Sequence, residues 1–309
     1  GATNQRVYAQ SCTGDQPGAP SPINCTANDV EIAEVVVLNG VTQCKAGEMV
    51  TLDLAVDLTL NANQRYDIGI YTALDGGDAI HGLCSFDGFP TTSPFKQLEG
   101  TRADSCGDIN GPVNDYPIRT LTTRCVAGPD GRLLLNSLVL WEQNRGNSCS
   151  KVPGSPAKCN IQSLPVDVTV VAPITVTKSA APADGADFNF TVISGTSTIA
   201  SFALDHEATN SDATPQRKVV MAPIGKTVTL RELVPTGWTL TGVVCNGQAM
   251  AVTNNAVTLT ADVDGLNCVV TNRKLARLLV QKESIPADDP TSFDFTLNEI
   301  GRASCRERV

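Results

Sequence analysis

Between Thr51 and Leu60 the chain alternates without a break. Leu52, Leu54, Val56, Leu58 and Leu60 fall on one face, and Thr51, Asp53, Ala55, Asp57 and Thr59 on the other. A period of two marks a strand with one buried face and cannot be laid on a helix with about 3.6 residues per turn. Tyr66–Tyr71 repeats the pattern, with Tyr66, Ile68 and Ile70 predicted inward. Val35–Leu38, Ile118–Val126, Leu133–Trp141 and Val166–Val171 read as further strands. Composition agrees. Only 5% of residues are aromatic and 18% charged, and Thr, Val, Ala, Asn and Gly fill the space, a mix suited to pleated, half-buried surfaces. At 309 residues there is chain enough for two or three domains. The fold class expected is all-β, with tandem β-sandwich domains.

Eleven cysteines are scattered along the chain with no C-x-x-C pair and no Cys/His cluster. Zinc sites use close ligand pairs, so these thiols are read as disulfides formed in an oxidising compartment. The expected location is extracellular or at the cell surface. Asp and Glu exceed Lys and Arg by 32 to 23, a net charge of -9. Such a surface repels phosphate, which argues against nucleic acid and anionic membrane as partners. With two histidines, His81 and His206, a metal centre built on several imidazoles is excluded. No apolar run reaches the roughly 20 residues of a membrane span.

Five segments are distinguished. Residues 1–29, rich in Pro and Gly and holding Cys12 and Cys25, are expected to form an irregular leader pinned by a disulfide. Residues 30–172 are expected to form a disulfide-rich β-sandwich head; with the leader they hold eight cysteines, whose pairing the spacing does not decide. Residues 173–273 carry short strands between Pro/Gly turns: Ile174–Lys178, Phe188–Ile193, Ser201–Asp205, Lys218–Met221, Val228–Glu232, Thr239–Cys245, Ala256–Ala261 and Cys268–Asn272. That spacing indicates a second sandwich. Cys245 and Cys268 are its only cysteines and are expected to pair, worth about 3 kcal/mol on the chain-entropy account. Leu278–Lys282 and Ser292–Leu297 echo Ile174–Lys178 and Asp187–Val192, so residues 274–298 read as the start of a truncated repeat. Residues 299–309 resemble a translated sequencing adapter and are set aside, Cys305 with them.

Residues 174–273 resemble the SpaA/Cna B-type prealbumin-like domains of bacterial surface proteins. The resemblance rests on Val176-Thr-Lys178, the Phe188-x-Phe190 strand, Leu230–Trp238 with its Glu232, Pro235, Gly237 and Trp238, and the closing Cys268–Asn272. It covers about a third of the chain, more with the echo at 278–298. It implies prealbumin-like sandwich modules in a surface-exposed stalk, pilin or adhesin. The segment before it, with Arg65–Tyr71, Asp75–Asp78 and Cys106–Asp108, is similar to cysteine-rich heads that precede such repeats.

Lys178, Glu232 and Asn272 each end a row that alternation turns inward: Ile174–Val176–Lys178, Val228–Leu230–Glu232 and Cys268–Val270–Asn272. Burying unpaired polar groups is costly. The residues leave two readings open. The three side chains reach solvent at their strand ends or form a buried ion pair, or they react. The resemblance implies the second: an isopeptide bond between Lys178 and Asn272, assisted by protonated Glu232. Lys282 occupies the matching slot in the second copy.

Other motifs carry less. Gly225-Lys-Thr227 lacks the upstream glycine of a phosphate loop and opens a strand. His81 near Asp78, Ser85 and Asp87 is a loop histidine. The loops with Asp75, Asp78, Asp104, Asp108, Asn110 and Asp115 leave two readings open, calcium binding by several oxygens or ordinary turn chemistry; EF-hand spacing is missing and no metal ligand set is assigned. No paired acid and base or activated nucleophile is visible, so no catalytic residue and no cofactor is assigned. The function expected is a non-enzymatic structural or adhesive surface protein, whose missing C-terminus would carry the envelope attachment. The alternative is a module binding an extracellular protein or glycan through the head loops.

Overall fold

A computed structural model describes residues 10–146, 148–154, 157–207 and 212–285, with Ser292 and Asp294. The chain divides into two units, Gly1–Lys274 and Leu275–Val309. Among the described residues the only helical elements are two single 3₁₀ turns, Thr13–Asp15 and Gly100–Arg102; everything else regular is strand.

Among the described residues, ten strands precede residue 150: β1 Gln10–Ser11, β2 Val30–Val37, β3 Gln43–Lys45, β4 Met49–Leu52, β5 Leu54–Leu60, β6 Tyr66–Ala73, β7 Leu83–Gly88, β8 Val113–Pro117, β9 Leu121–Arg124 and β10 Arg132–Glu142. The alternating Thr51–Leu60 segment, expected as one strand, is two. β4 pairs with β9, whereas β5 pairs with β2 and β8. The break falls at Asp53, whose carbonyl accepts the Leu38 N–H at 2.7 Å and whose carboxylate accepts the Thr120 hydroxyl. The alternation survives the break, so Leu52, Leu54, Val56 and Leu58 are all buried.

β6 was expected to bury one face and buries both. Ile68 and Ile70 pack with Val139, Trp141 and Phe95. Tyr71 packs on the other face with Cys12, Cys84, Leu138 and Cys159. The leader supplies that second cover. It is held by two disulfides rather than one, Cys12–Cys84 and Cys25–Cys159, while Cys44–Cys125 and Cys106–Cys149 brace the rest. The pairing of β6 with β10 slips between Leu140 and Glu142, and Asp67, opposite the slip, has φ 55°.

The remaining strands are β11 Ala157–Ala181, β12 Asp184–Ser194, β13 Ser197–His206, β14 Arg217–Pro223, β15 Thr227–Leu233, β16 Trp238–Cys245, β17 Gln248–Ala249, β18 Ala256–Thr260 and β19 Leu266–Lys274. Val166–Val171 and Ile174–Lys178, expected as separate strands, both belong to β11. Its first part pairs with β10 and its last part with β14 and β19. Pro173, which has no N–H to donate, stands where the neighbours change. β11 and β19 run parallel, from Ile174 opposite Leu266 to Ala181 opposite Arg273. Gly265, just before β19, has φ +75°, and a Cβ there would fall 2.3 Å from the Pro173 carbonyl oxygen. Only glycine lets β19 start this close to β11.

A four-stranded sheet ordered β13-β12-β15-β18 faces β14, β11, β19 and β16. The core between them includes Ile174, Val176, Phe188, Phe190, Val192, Leu230, Trp238 and Val270. Cys245 and Cys268 stand opposite each other on β16 and β19 and are bonded.

In the second unit, Leu278–Lys282 was expected to be a strand, but residues 275–285 carry no regular structure. No ladder flanks them among the described residues, and Leu279 is 80% exposed. The echo at Ser292–Leu297, but for two isolated residues, and the tail at 299–309 lie outside the described residues.

Candidate functional site

Lys178, Glu232 and Asn272 meet in the core of the sandwich. Lys178 on β11 and Asn272 on β19 come from neighbouring parallel strands, Ala180 being the residue directly opposite Asn272. Glu232 comes from β15 in the facing sheet. Alternation places them there: Ile174, Val176 and Lys178 are all 0% exposed, and Val228, Leu230 and Glu232 form a second buried row.

The Lys178 Nζ donates to Asn272 Oδ1 at 2.8 Å, to the Ser179 carbonyl at 2.8 Å and to the Val270 carbonyl at 3.0 Å. The Asn272 amide nitrogen donates to Glu232 Oε2 at 3.0 Å. Glu232 Oε1 stands 3.8 Å from Nζ and accepts no hydrogen bond. The Phe188 ring lies under Nζ, 4.2 Å to its centre, and the Trp238 indole packs edge-on against that ring. A small cleft lined by Glu232, Leu240, Asn255 and Val270 opens beside the carboxyl group.

The electrostatics follow from this enclosure. Burial pulls the Lys178 ammonium down to about 8, against a smaller upward pull from Glu232. Burial pushes the Glu232 carboxyl up, opposed by the Asn272 hydrogen bond and by Lys178. Both shifts favour the uncharged pair, since a low-dielectric surrounding disfavours each charged form. The three donated hydrogen bonds use the three hydrogens of the ammonium, and loss of one proton would set an amine beside an amide carbonyl with a carboxyl group on the amide nitrogen, the arrangement that acyl transfer from nitrogen to nitrogen needs.

The remaining residues singled out in the sequence do not join this site. His81 pairs with Asp15 at 2.9 Å on the surface. Asp75 accepts the Gly77 N–H, and Asp78 those of Ile80 and His81, as turn formers do. Asn110 accepts the Lys96 ammonium. Asp115 donates its N–H to Asp57. Asp104 and Asp108 accept backbone N–H groups at 2.6–3.1 Å. The carbonyls of Ser179 and Val270 were not foreseen, because backbone acceptors leave no mark in a sequence.

Residues 174–274 match the family model of a SpaA-type prealbumin-like fold domain. With the facing sheets just described, that segment is a prealbumin-like sandwich. Among solved structures, the chain aligns with a major pilin (T-13) of Streptococcus pyogenes at 11% identity and a TM-score of 0.27, over 80% of this chain and 99% of that one. It aligns with the pilus backbone protein of Streptococcus pneumoniae at 12% and 0.22, over 79% and 56%. A second Streptococcus pyogenes major pilin (T3.2) gives 9% and 0.27, over 80% and 99%. No curated protein matches the chain.

Proposed function

We propose that this chain is a non-enzymatic structural protein of the bacterial cell surface. A prealbumin-like module, residues 173–273, serves as a load-bearing segment, and a disulfide-braced head, residues 30–172, is what it presents. The observation that carries this reading is the buried contact of Lys178 with Asn272, beside Glu232, across the first and last strands of the module. Five disulfides support an oxidising location, since reducing compartments keep thiols free.

In this reading Lys178 and Asn272 join through an isopeptide bond. The neutral amine attacks the Asn272 side-chain carbonyl carbon, and the new C–N bond gives a tetrahedral adduct. Protonated Glu232 gives its proton to the departing amide nitrogen and then, as the carboxylate, takes one from the attacking nitrogen. The old C–N bond breaks, ammonia leaves and Glu232 ends as it began. One amine and one primary amide become one secondary amide plus ammonia.

The bond suits a stalk. Tension entering at β11 and leaving at β19 would pass through the bridge instead of the hydrogen-bonded ladder. The sequence separation of the two residues is 94, and the Cys245–Cys268 bond already shields 23 of these. Single-molecule pulling through the module's ends tests this. Glu232→Ala should show an unfolding step that releases roughly 250 Å of chain, about 70 residues at near 3.5 Å each. The wild type should show no such step. The same step in the wild type would refute the load-bearing role.

A further inference from the structure

Away from the lysine site, the bulge in β6 turns Asp67 into a buried acidic cluster. Asp67 is 1% exposed, and neither of its carboxylate oxygens has a hydrogen-bond partner. Glu99 is also 1% exposed. Its Oε1 accepts the Gly146 N–H at 2.8 Å, and its Oε2 has no partner. Asp104 repeats the arrangement. Its Oδ1 accepts the Cys106 N–H at 2.8 Å, and its Oδ2 is unpartnered. Ligand oxygens of the three lie within 4.8 Å of one another. Among the described residues no Lys, Arg or His forms an ion pair with any of them.

We propose that Asp67, Glu99 and Asp104 form a binding site for a calcium ion that ties the loop before Cys106 to strand β6. Buried charges are paired or coordinate metals, and here three carboxylates face one another with no cation from the chain. Backbone donors hold one oxygen of Glu99 and one of Asp104, which aims the other toward Asp67. Asp67 keeps both oxygens free, as bidentate coordination requires. An all-oxygen set suits a hard cation, and calcium accepts irregular geometry and mixed denticity, whereas magnesium demands a near-ideal octahedron. Soft metals are excluded, since Cys106 and Cys149 are bonded to each other.

The same crowding appears in the titration of the group. Burial first, then the charges of Asp104, Glu99, Glu142 and Asp108, push Asp67 up to about 8. Asp108 stands apart as a ligand because its two oxygens accept the N–H groups of Asp67 and Leu98. A cation must therefore displace the proton that Asp67 holds at neutral pH, and replacing the carboxyl group by an amide removes the central ligand.

The test uses the full oxidised chain at neutral pH, stripped with a chelator and titrated with calcium chloride, with potassium chloride at matched ionic strength as control. A site of the extracellular class binds with Kd on the order of 10⁻⁴–10⁻³ M. At 10 mM calcium the wild-type Tm should therefore rise by roughly 3–10 °C, with one ion per chain by calorimetry. Asp67→Asn and Glu99→Gln should each lose that rise, since each replaces a carboxylate ligand by an amide. Absence of a wild-type response overturns the proposal. So does an equal response in both variants, which would be a general salt effect. Should one variant fail to fold, the other decides.

Discussion

At the residue scale, Lys178 is a lysine wholly shut off from water. Lys178 has three acceptors, yet burial still lowers its pKa to about 8 from an ordinary 10.5. In Asn272→Ala the bond cannot form and the lysine must stay free. Between about pH 8 and 10.5 the unfolded lysine would hold a proton that the folded one has released. Stability rises with pH wherever the unfolded state binds more protons. Urea unfolding of this variant should therefore show stability increasing across that window. The bonded wild type has no amine to titrate and should lack the increment. Parallel profiles for the two proteins would count against a bonded Lys178.

At the element scale, much of the site was legible, and the reason is local. Alternation alone turned Lys178, Glu232 and Asn272 toward one interior, because each lies an even number of residues from an apolar neighbour on its own strand. What lies across the interior was not legible in the pattern itself; only the family resemblance implied that Lys178, Glu232 and Asn272 meet. The parallel pairing of β11 with β19 joins residues almost a hundred positions apart, and no local pattern encodes it. Asp67 escaped notice for a similar reason. Tyr66, Ile68 and Ile70 mark one face of β6, so Asp67 read as solvent-facing until the leader and the Cys106–Cys149 loop covered the other. The break at Asp53 is equally silent, since it changes the strand's partners but not its alternation. β12 offers a test of enclosure. Phe188→Ala would remove the ring beneath Nζ and open the site to water. It should cost about 3–5 kcal/mol in urea unfolding and slow the formation of the bonded product. An unchanged rate would show that desolvation by Phe188 plays no part.

At the scale of the whole molecule, one 25-residue strand, β11, links the disulfide-braced segment to the prealbumin-like sandwich. Disulfides and the proposed amide act alike on such a chain, since each removes conformational freedom from the unfolded state, a bridge of this span by roughly 4–5 kcal/mol on the entropic account. They differ in chemistry: a reductant opens every disulfide and leaves an amide intact. The most direct measurement is therefore the intact mass of the reduced, denatured chain. The wild type should weigh one ammonia less than its sequence requires, and Glu232→Ala, which has no proton carrier, should weigh what its sequence requires. A wild-type chain at its full sequence mass would contradict the account and leave Lys178, Glu232 and Asn272 as a buried polar cluster.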